Sequence, residues 1–168
     1  ANGKWNVNNG ATLYAGWKAN TTSITIDKQE GTGGKSSVTA TYDATMPDAG
    51  AVPAKTGYDF AGYFDGQNGT GTKYYNADCS SAHVWDKDAT TATLYAYWTP
   101  KTYTVTLNQA SATTQGATSA TVYYNTVPTQ VTSLPTRTGY TFGGYETNGD
   151  VLLIDEDGNW QKSVTGFT

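Results

Sequence analysis

Polar β-formers and aliphatics alternate one for one along SITI at 23–26 and YTVTL at 103–107, the period of a strand with one buried face. Farther on, Val38, Ala40 and Tyr42 fall on one face of a second strand, and Ala120, Val122 and Tyr124 repeat that face later in the chain. Thr39, Thr41, Thr121 and Tyr123 then point to the other side. The blocks TGYDFAGY at 56–63 and TGYTFGGY at 138–145 predict a third strand, entered through a glycine turn. TLYAYW at 93–98 is different. Leu94, Ala96 and Trp98 face one way, Tyr95 and Tyr97 the other, so both faces are apolar. Such a strand belongs in the middle of a sheet, covered on each side. Helical periodicity is nearly absent, a short turn near 43–50 or 126–133 being the most it allows.

These elements recur at a fixed spacing, which makes an internal repeat the strongest organising signal. Trp17 and Trp98 are 81 residues apart, as are Ile24 and Val105, and Ile26 and Leu107. The TGY blocks are 82 apart, so one residue is inserted between them, and Pro53 and Lys55 are answered by Pro135 and Arg137. TLYAGW at 12–17 nearly copies TLYAYW, yet no third copy follows Trp98. The chain accordingly divides into three: a closing segment with the last strand of a repeat at 1–18, a complete repeat at 19–98, and a repeat at 99–168 lacking its last strand.

Charge and composition narrow the function. With ten Lys and Arg and a net charge of -4, the chain offers no basic surface to a phosphate backbone, so nucleic acid is not a partner. Charged residues are only 14% of the sequence, and Thr, Ser, Asn and Gly fill the polar positions, as in extracellular β proteins. Cys79 is the sole cysteine, so no internal disulfide staples the fold. No apolar run approaches the ~18–20 residues of a membrane span. There is no phosphate-binding loop, H-E-x-x-H or G-x-S-x-G, and the carboxylates are scattered, so neither an enzyme nor a cofactor site is expected. Asp155, Asp157 and Asn159 echo the start of a calcium loop, but the position of its bidentate acid is Gly166, and an Asp-Gly turn is the better reading. Cys79 and His83 stand four apart without the further ligands a metal requires or a partner to orient Cys–His catalysis. No metal is assigned; His83 reads as a solvated loop residue and Cys79 as a partly buried thiol.

The aromatics of the TGY blocks (Tyr58, Phe60, Tyr63; Tyr140, Phe142, Tyr145) could form a carbohydrate platform, but most are assigned to the core, because a unit of ~80 residues needs large side chains to bury enough surface. Adjacent strand residues face opposite ways, so one of Tyr74 and Tyr75, together with Tyr123, is expected at the surface as a possible glycan contact.

The order of strand, Thr-rich strand, P-x-[KR]-T-G-Y-x-F-x-G-Y, Gly/Asn loop, Trp-Asp and T-L-Y-A-x-W resembles the Listeria–Bacteroides repeat, of the internalin B-type B repeat. The stretch GTKYYNADCSSAHVWDKDATTATLYAYW at 71–98 is especially close to it. The resemblance covers the whole chain. It implies a mainly β, β-grasp-like fold, with small mixed sheets repeated in tandem in an elongated arrangement, on bacterial surface proteins. It also implies that the first and last strands of a unit are central and parallel. Longer variants of the family carry a sequence similar to D-G-N-x-x-x-S-V-x-G-Y-T-D-A-N-G-K-W ahead of the closing strand. DGNWQKSVTGFT ends this chain and ANGKWNVNNGATLYAGW begins it, so tail and head together make one nearly seamless unit.

A non-enzymatic extracellular or cell-surface protein forming a stalk or filament is therefore expected. Its partners are copies of itself, head to tail, with Leu13, Tyr14, Ala15 and Trp17 as the donated strand completing the 99–168 repeat of a neighbouring copy. The same junction forms within one polypeptide if the 168 residues are one period of a longer chain. The alternative is an adhesin module whose tyrosines bind a glycan or a host surface protein.

Overall fold

The computed structural model describes residues 10–161. Among these described residues nine strands run in chain order: β1 Thr21–Asp27, β2 Ser37–Thr41, β3 Tyr58–Phe64, β4 Lys73–Tyr75, β5 Thr91–Pro100, β6 Thr102–Thr106, β7 Ser119–Tyr123, β8 Tyr145–Glu146 and β9 Leu152–Ile154. The one helical turn among the described residues is a short 3-10 segment at Gln67–Gly69. It lies at neither position the sequence allowed; 43–50 instead runs as a turn and extended chain, with Met46 and Ala49 tucked into the core.

β1 to β5 form one mixed sheet in the order β2-β1-β5-β3-β4. β5 is central. It pairs parallel with β1, from Ser23 opposite Thr91 to Asp27 opposite Tyr95, and antiparallel with β3. Thr22, Ile24 and Ile26 point inward from β1, Val38 and Ala40 from β2, and Leu94, Ala96 and Trp98 from β5. The alternation read from the sequence thus sets the buried face. Tyr95 and Tyr97, on the opposite face of β5, are only partly covered. That face is covered at Tyr97 by the Phe64 ring, 5.9 Å away, and by Gly69 of the 3-10 turn, which leaves no room for a Cβ against the Tyr97 ring.

β3 departs from strict alternation. Its register with β5 shifts between Phe60 and Gly62, so Phe60 and Tyr63 both reach the core with ring centroids 4.8 Å apart. Gly62 makes this bulge possible: its φ is +129, and a Cβ there would collide with the Tyr75 carbonyl.

The core of this unit is aromatic and polar at once, and Trp85, Thr22, Tyr74 and Tyr75 each have a hydrogen-bond partner. Trp85 donates its indole N–H to Thr22 Oγ1 at 2.8 Å, and the Thr22 hydroxyl donates onward to the Ala89 carbonyl. Tyr75 donates to the Pro47 carbonyl at 2.7 Å, and Tyr74 to Asp86. Burial pushes the Tyr63 phenol up to about 12, and those of Tyr74 and Tyr75 higher still. A phenol whose pKa is raised by folding adds stability that is complete below its unfolded value of about 10 and lost as pH passes the folded value. The 19–98 unit should therefore hold its circular dichroism to about pH 10 and unfold between about pH 10 and 12. Titration of these phenols at their ordinary value, with the sheet intact, would contradict that.

β6 and β7 pair antiparallel with the register of β1 and β2, Val105 opposite Ala120 as Ile24 is opposite Val38. β8 and β9 form a separate antiparallel pair. Leu107, Val131 and Ile154 make the buried centre between the two pairs, flanked by partly covered Val105, Leu134, Tyr145 and Trp160.

Candidate assembly site

The two halves of the second unit are parted where the first unit has its central strand. In the complete unit β5 lies between β1 and β3; in the second, β6 and β8 share no ladder. The counterpart of β3 is affected most directly. Tyr58–Phe64 is a continuous strand, whereas Thr141–Gly144 has no strand pairing and only Tyr145–Glu146 is extended. Residues 58–63 owe their strand to β5, opposite them, and no described residue plays that part for 141–144.

The loss shows in burial. Phe60 is 9% exposed and Tyr63 1%, while Phe142 and Tyr145 are both only partly covered. The Tyr145 hydroxyl is nevertheless enclosed without a hydrogen-bond partner. Beside it opens a cavity of about 260 Å³, lined by 108–112, 135–137 and 140–145.

This cavity corresponds to the seat of Trp98. The Trp98 indole lies 5.3 Å from the Phe60 ring, fills the space above Gly31, and donates its N–H to the Lys28 carbonyl at 2.9 Å. The loop that receives it is rebuilt in the second unit. Asp27 accepts from Gln29 N as Asn108 accepts from Ala110 N, and Gln29 and Ala110 both have positive φ. Gly31 N donates to Lys28 O as Ala112 N donates to Gln109 O. Gln109 O and Phe142 therefore stand where an indole would be received. One difference is steric: Ala112 places a methyl where the complete unit has Gly31, a position at which a Cβ would collide with the Trp98 indole, so an incoming indole must sit displaced from the Trp98 pose.

Residues 10–20 have no strand pairing and are exposed throughout. Leu13 is 81% exposed, Tyr14 87% and Trp17 93%, and Ala15 is exposed as well. Their β5 counterparts, Leu94 and Trp98, are buried. The segment also differs from β5 at one telling place. Gly16 replaces Tyr97, and the counterpart of Phe64 is Glu146. The aromatic pair on the outer face is thus deleted from both sides together, along with the 3-10 turn that covers it. The rest of the 1–18 closing segment and residues 162–168 fall outside the described residues.

The structure corrects one expectation about the tyrosines. Tyr74 and Tyr75 are both fully buried, although they are neighbours on one strand. The register of β4 with β3 shifts here, from Tyr63 opposite Tyr75 to Phe64 opposite Lys73, so the two tyrosines do not alternate. Tyr75 packs against Tyr63, and Tyr74 joins the same core against His83 and Trp85 of the following loop, with ring centroids at 5.6 and 5.0 Å. The signal that was missed is the Trp-Asp pair in that loop, which supplies both a lid and a carboxylate for the Tyr74 hydroxyl. Tyr123 is half exposed.

The remaining polar clusters are turns. Asp155 accepts from the backbone N–H of Asp157 and Asn159, which holds its carboxyl below the ordinary carboxylate range, and Gly158 takes the positive φ. Cys79 occupies the matching turn position of the first unit, with φ +63 and its thiol pKa raised by burial. Among the described residues no group of three or more His, Cys, Asp or Glu could hold a metal ion, and no helix is long and apolar enough to cross a membrane.

No curated protein and no solved structure matches this chain. The model of the Listeria-Bacteroides repeat domain matches residues 23–97 and again 103–164. Those bounds take in all but the outermost residues of the two sets of strands, the intact sheet in the first and the divided one in the second. The family is a non-catalytic repeat of bacterial surface proteins. Two tandem copies, in register through their strands, turns and loops, place the chain in the Listeria–Bacteroides repeat family.

Proposed function

We propose that this protein is an extracellular structural module of the bacterial surface whose units join head to tail by strand donation, forming a stalk or filament. Residues 11–17 of one copy enter between β6 and β8 of another, with Leu13, Ala15 and Trp17 inward and Tyr14 and Gly16 outward. One observation carries this reading: the cavity at 108–112 and 140–145 lies at the counterpart of the Trp98 seat, narrowed by the Ala112 methyl, in a unit whose central ladder is open, while a near-copy of β5 stands exposed elsewhere in the same chain. An open ladder exposes unpaired backbone donors and acceptors and recruits a strand. The contact is heterologous, so it propagates unless a rotation closes it into a ring.

The adhesin reading has less to stand on, since of the three tyrosines expected to serve it Tyr74 and Tyr75 are unavailable to a glycan and Tyr123 is half exposed. Light scattering after size exclusion should show a concentration-dependent series of oligomers for the 168-residue chain, each dissolving to 17.9 kDa in denaturant, and monomer alone once residues 1–18 are removed. Assembly that survives the deletion would refute strand donation.

A further inference from the structure

The two units of one chain meet at a small joint built around Lys101, the single residue between β5 and β6. Lys101 N donates to the Gly57 carbonyl at 2.9 Å, and Tyr124 N donates to the Lys101 carbonyl at 2.9 Å. The Tyr124 ring lies across Gly57, where a Cβ would collide with it, and meets the Tyr58 ring edge-on at 5.4 Å. Gly57 has φ +79, so glycine serves there both the turn and the close approach.

Each half of this joint occurs a second time in the chain, unpaired with the other. Asn20 and Tyr42 repeat Lys101 and Tyr124, and Tyr42 N donates to the Asn20 carbonyl at the same 2.9 Å. Gly139 and Tyr140 repeat Gly57 and Tyr58: Gly139 has φ +81, and a Cβ on it would meet nothing within 4 Å. Tyr140 is 66% exposed and Tyr42 43%. A cation lies over the tyrosine in both settings, Lys55 over Tyr58 and Arg137 over Tyr140.

We infer that Gly139 and Tyr140 of one copy and Asn20 and Tyr42 of the next form this same joint, with Asn20 N donating to Gly139 O and the Tyr42 ring lying across Gly139 against Tyr140. The inference rests on the strand donation proposed above. Once Trp17 is seated as Trp98 is, Asn20 follows it at the spacing by which Lys101 follows Trp98. The donated strand therefore delivers Tyr42 to Gly139 as β5 and β6 deliver Tyr124 to Gly57. Copies then succeed one another at the angle that relates the two units within a copy.

The test uses the full chain with Tyr42→Ala, Tyr140→Ala and the double variant. Two quantities are measured: chain–chain association by analytical ultracentrifugation, and binding of a labelled peptide spanning residues 10–18, which carries the strand but not the joint. Each single variant should weaken chain–chain association about three- to tenfold, and the double variant no more than either single one, the mark of a direct aromatic pair. Peptide binding should be unchanged in Tyr42→Ala, which lies outside the cavity that receives Trp17, and Tyr42→Phe and Tyr140→Phe should restore association. Unaltered association of the alanine variants, or fully additive losses, with the peptide still bound, would overturn the joint and leave strand donation standing. A peptide that does not bind the parent chain would overturn strand donation itself, and the joint with it.

Discussion

Trp98→Ala is expected to unfold the 19–98 unit, at a cost of about 3–5 kcal/mol. The residue sits on the central strand, 9% exposed, where its ring closes the end of the core against Phe60 and Gly31. Its N–H also ties the strand to the Lys28 carbonyl, so the change removes packing and a hydrogen bond between β5 and the loop after β1. A unit of ~80 residues has of order 4–12 kcal/mol in total, so such a loss takes most of it. Urea denaturation followed by far-ultraviolet circular dichroism measures the effect. A loss below about 1 kcal/mol, the size of a surface substitution, would show that the indole does not close the core.

Trp17→Ala is expected to have the opposite profile. In the isolated chain this side chain is 93% exposed, so its removal should leave the melting of both units within a few tenths of a kcal/mol. Head-to-tail association should instead fall by about thirtyfold or more, since an indole buried in a fitted pocket is a typical dominant contributor at an interface. The two tryptophans occupy equivalent positions in the repeat; one is expected to act on stability, the other on assembly. Equal affinity for the Trp17→Ala chain, measured by sedimentation over a concentration series, would remove the cavity beside Gln109 from the account.

Strict alternation made the inward faces of β1, β2 and β5 legible, because none of those strands carries a bulge residue of its own. It failed at β3, where Phe60 and Tyr63 share a face: a period of two cannot reveal a bulge that depends on the positive φ of Gly62. It failed again at Tyr74, whose cover comes from a loop more than ten residues away and not from its own strand. The seat beside Gln109 was within reach, since the 81-residue offset that relates the tryptophans also relates Lys28 to Gln109. What the offset could not convey is that a main-chain carbonyl, and not a side chain, receives the indole. The strand lost at 141–144 was legible chiefly in its cause: Gly143 in place of Ala61 disfavours a strand and Thr141 in place of Asp59 favours one, so the missing partner is what decides.

The parallel pairing of β1 with β5 has a mechanical consequence. The chain enters the complete unit at the start of β1 and leaves it at the end of β5, and because these strands run side by side in the same direction, entry and exit lie at opposite ends of the pair. A pull along the chain slides the two strands past each other, and every hydrogen bond from Ser23 to Tyr95 bears the load at once instead of opening in sequence like a zipper. A donated strand beside β6 would be loaded in the same way, entering tension from its far end through Lys18 while β6 is held at Lys101. A junction that carries no covalent link would then resist shear by the same arrangement as a unit that is continuous.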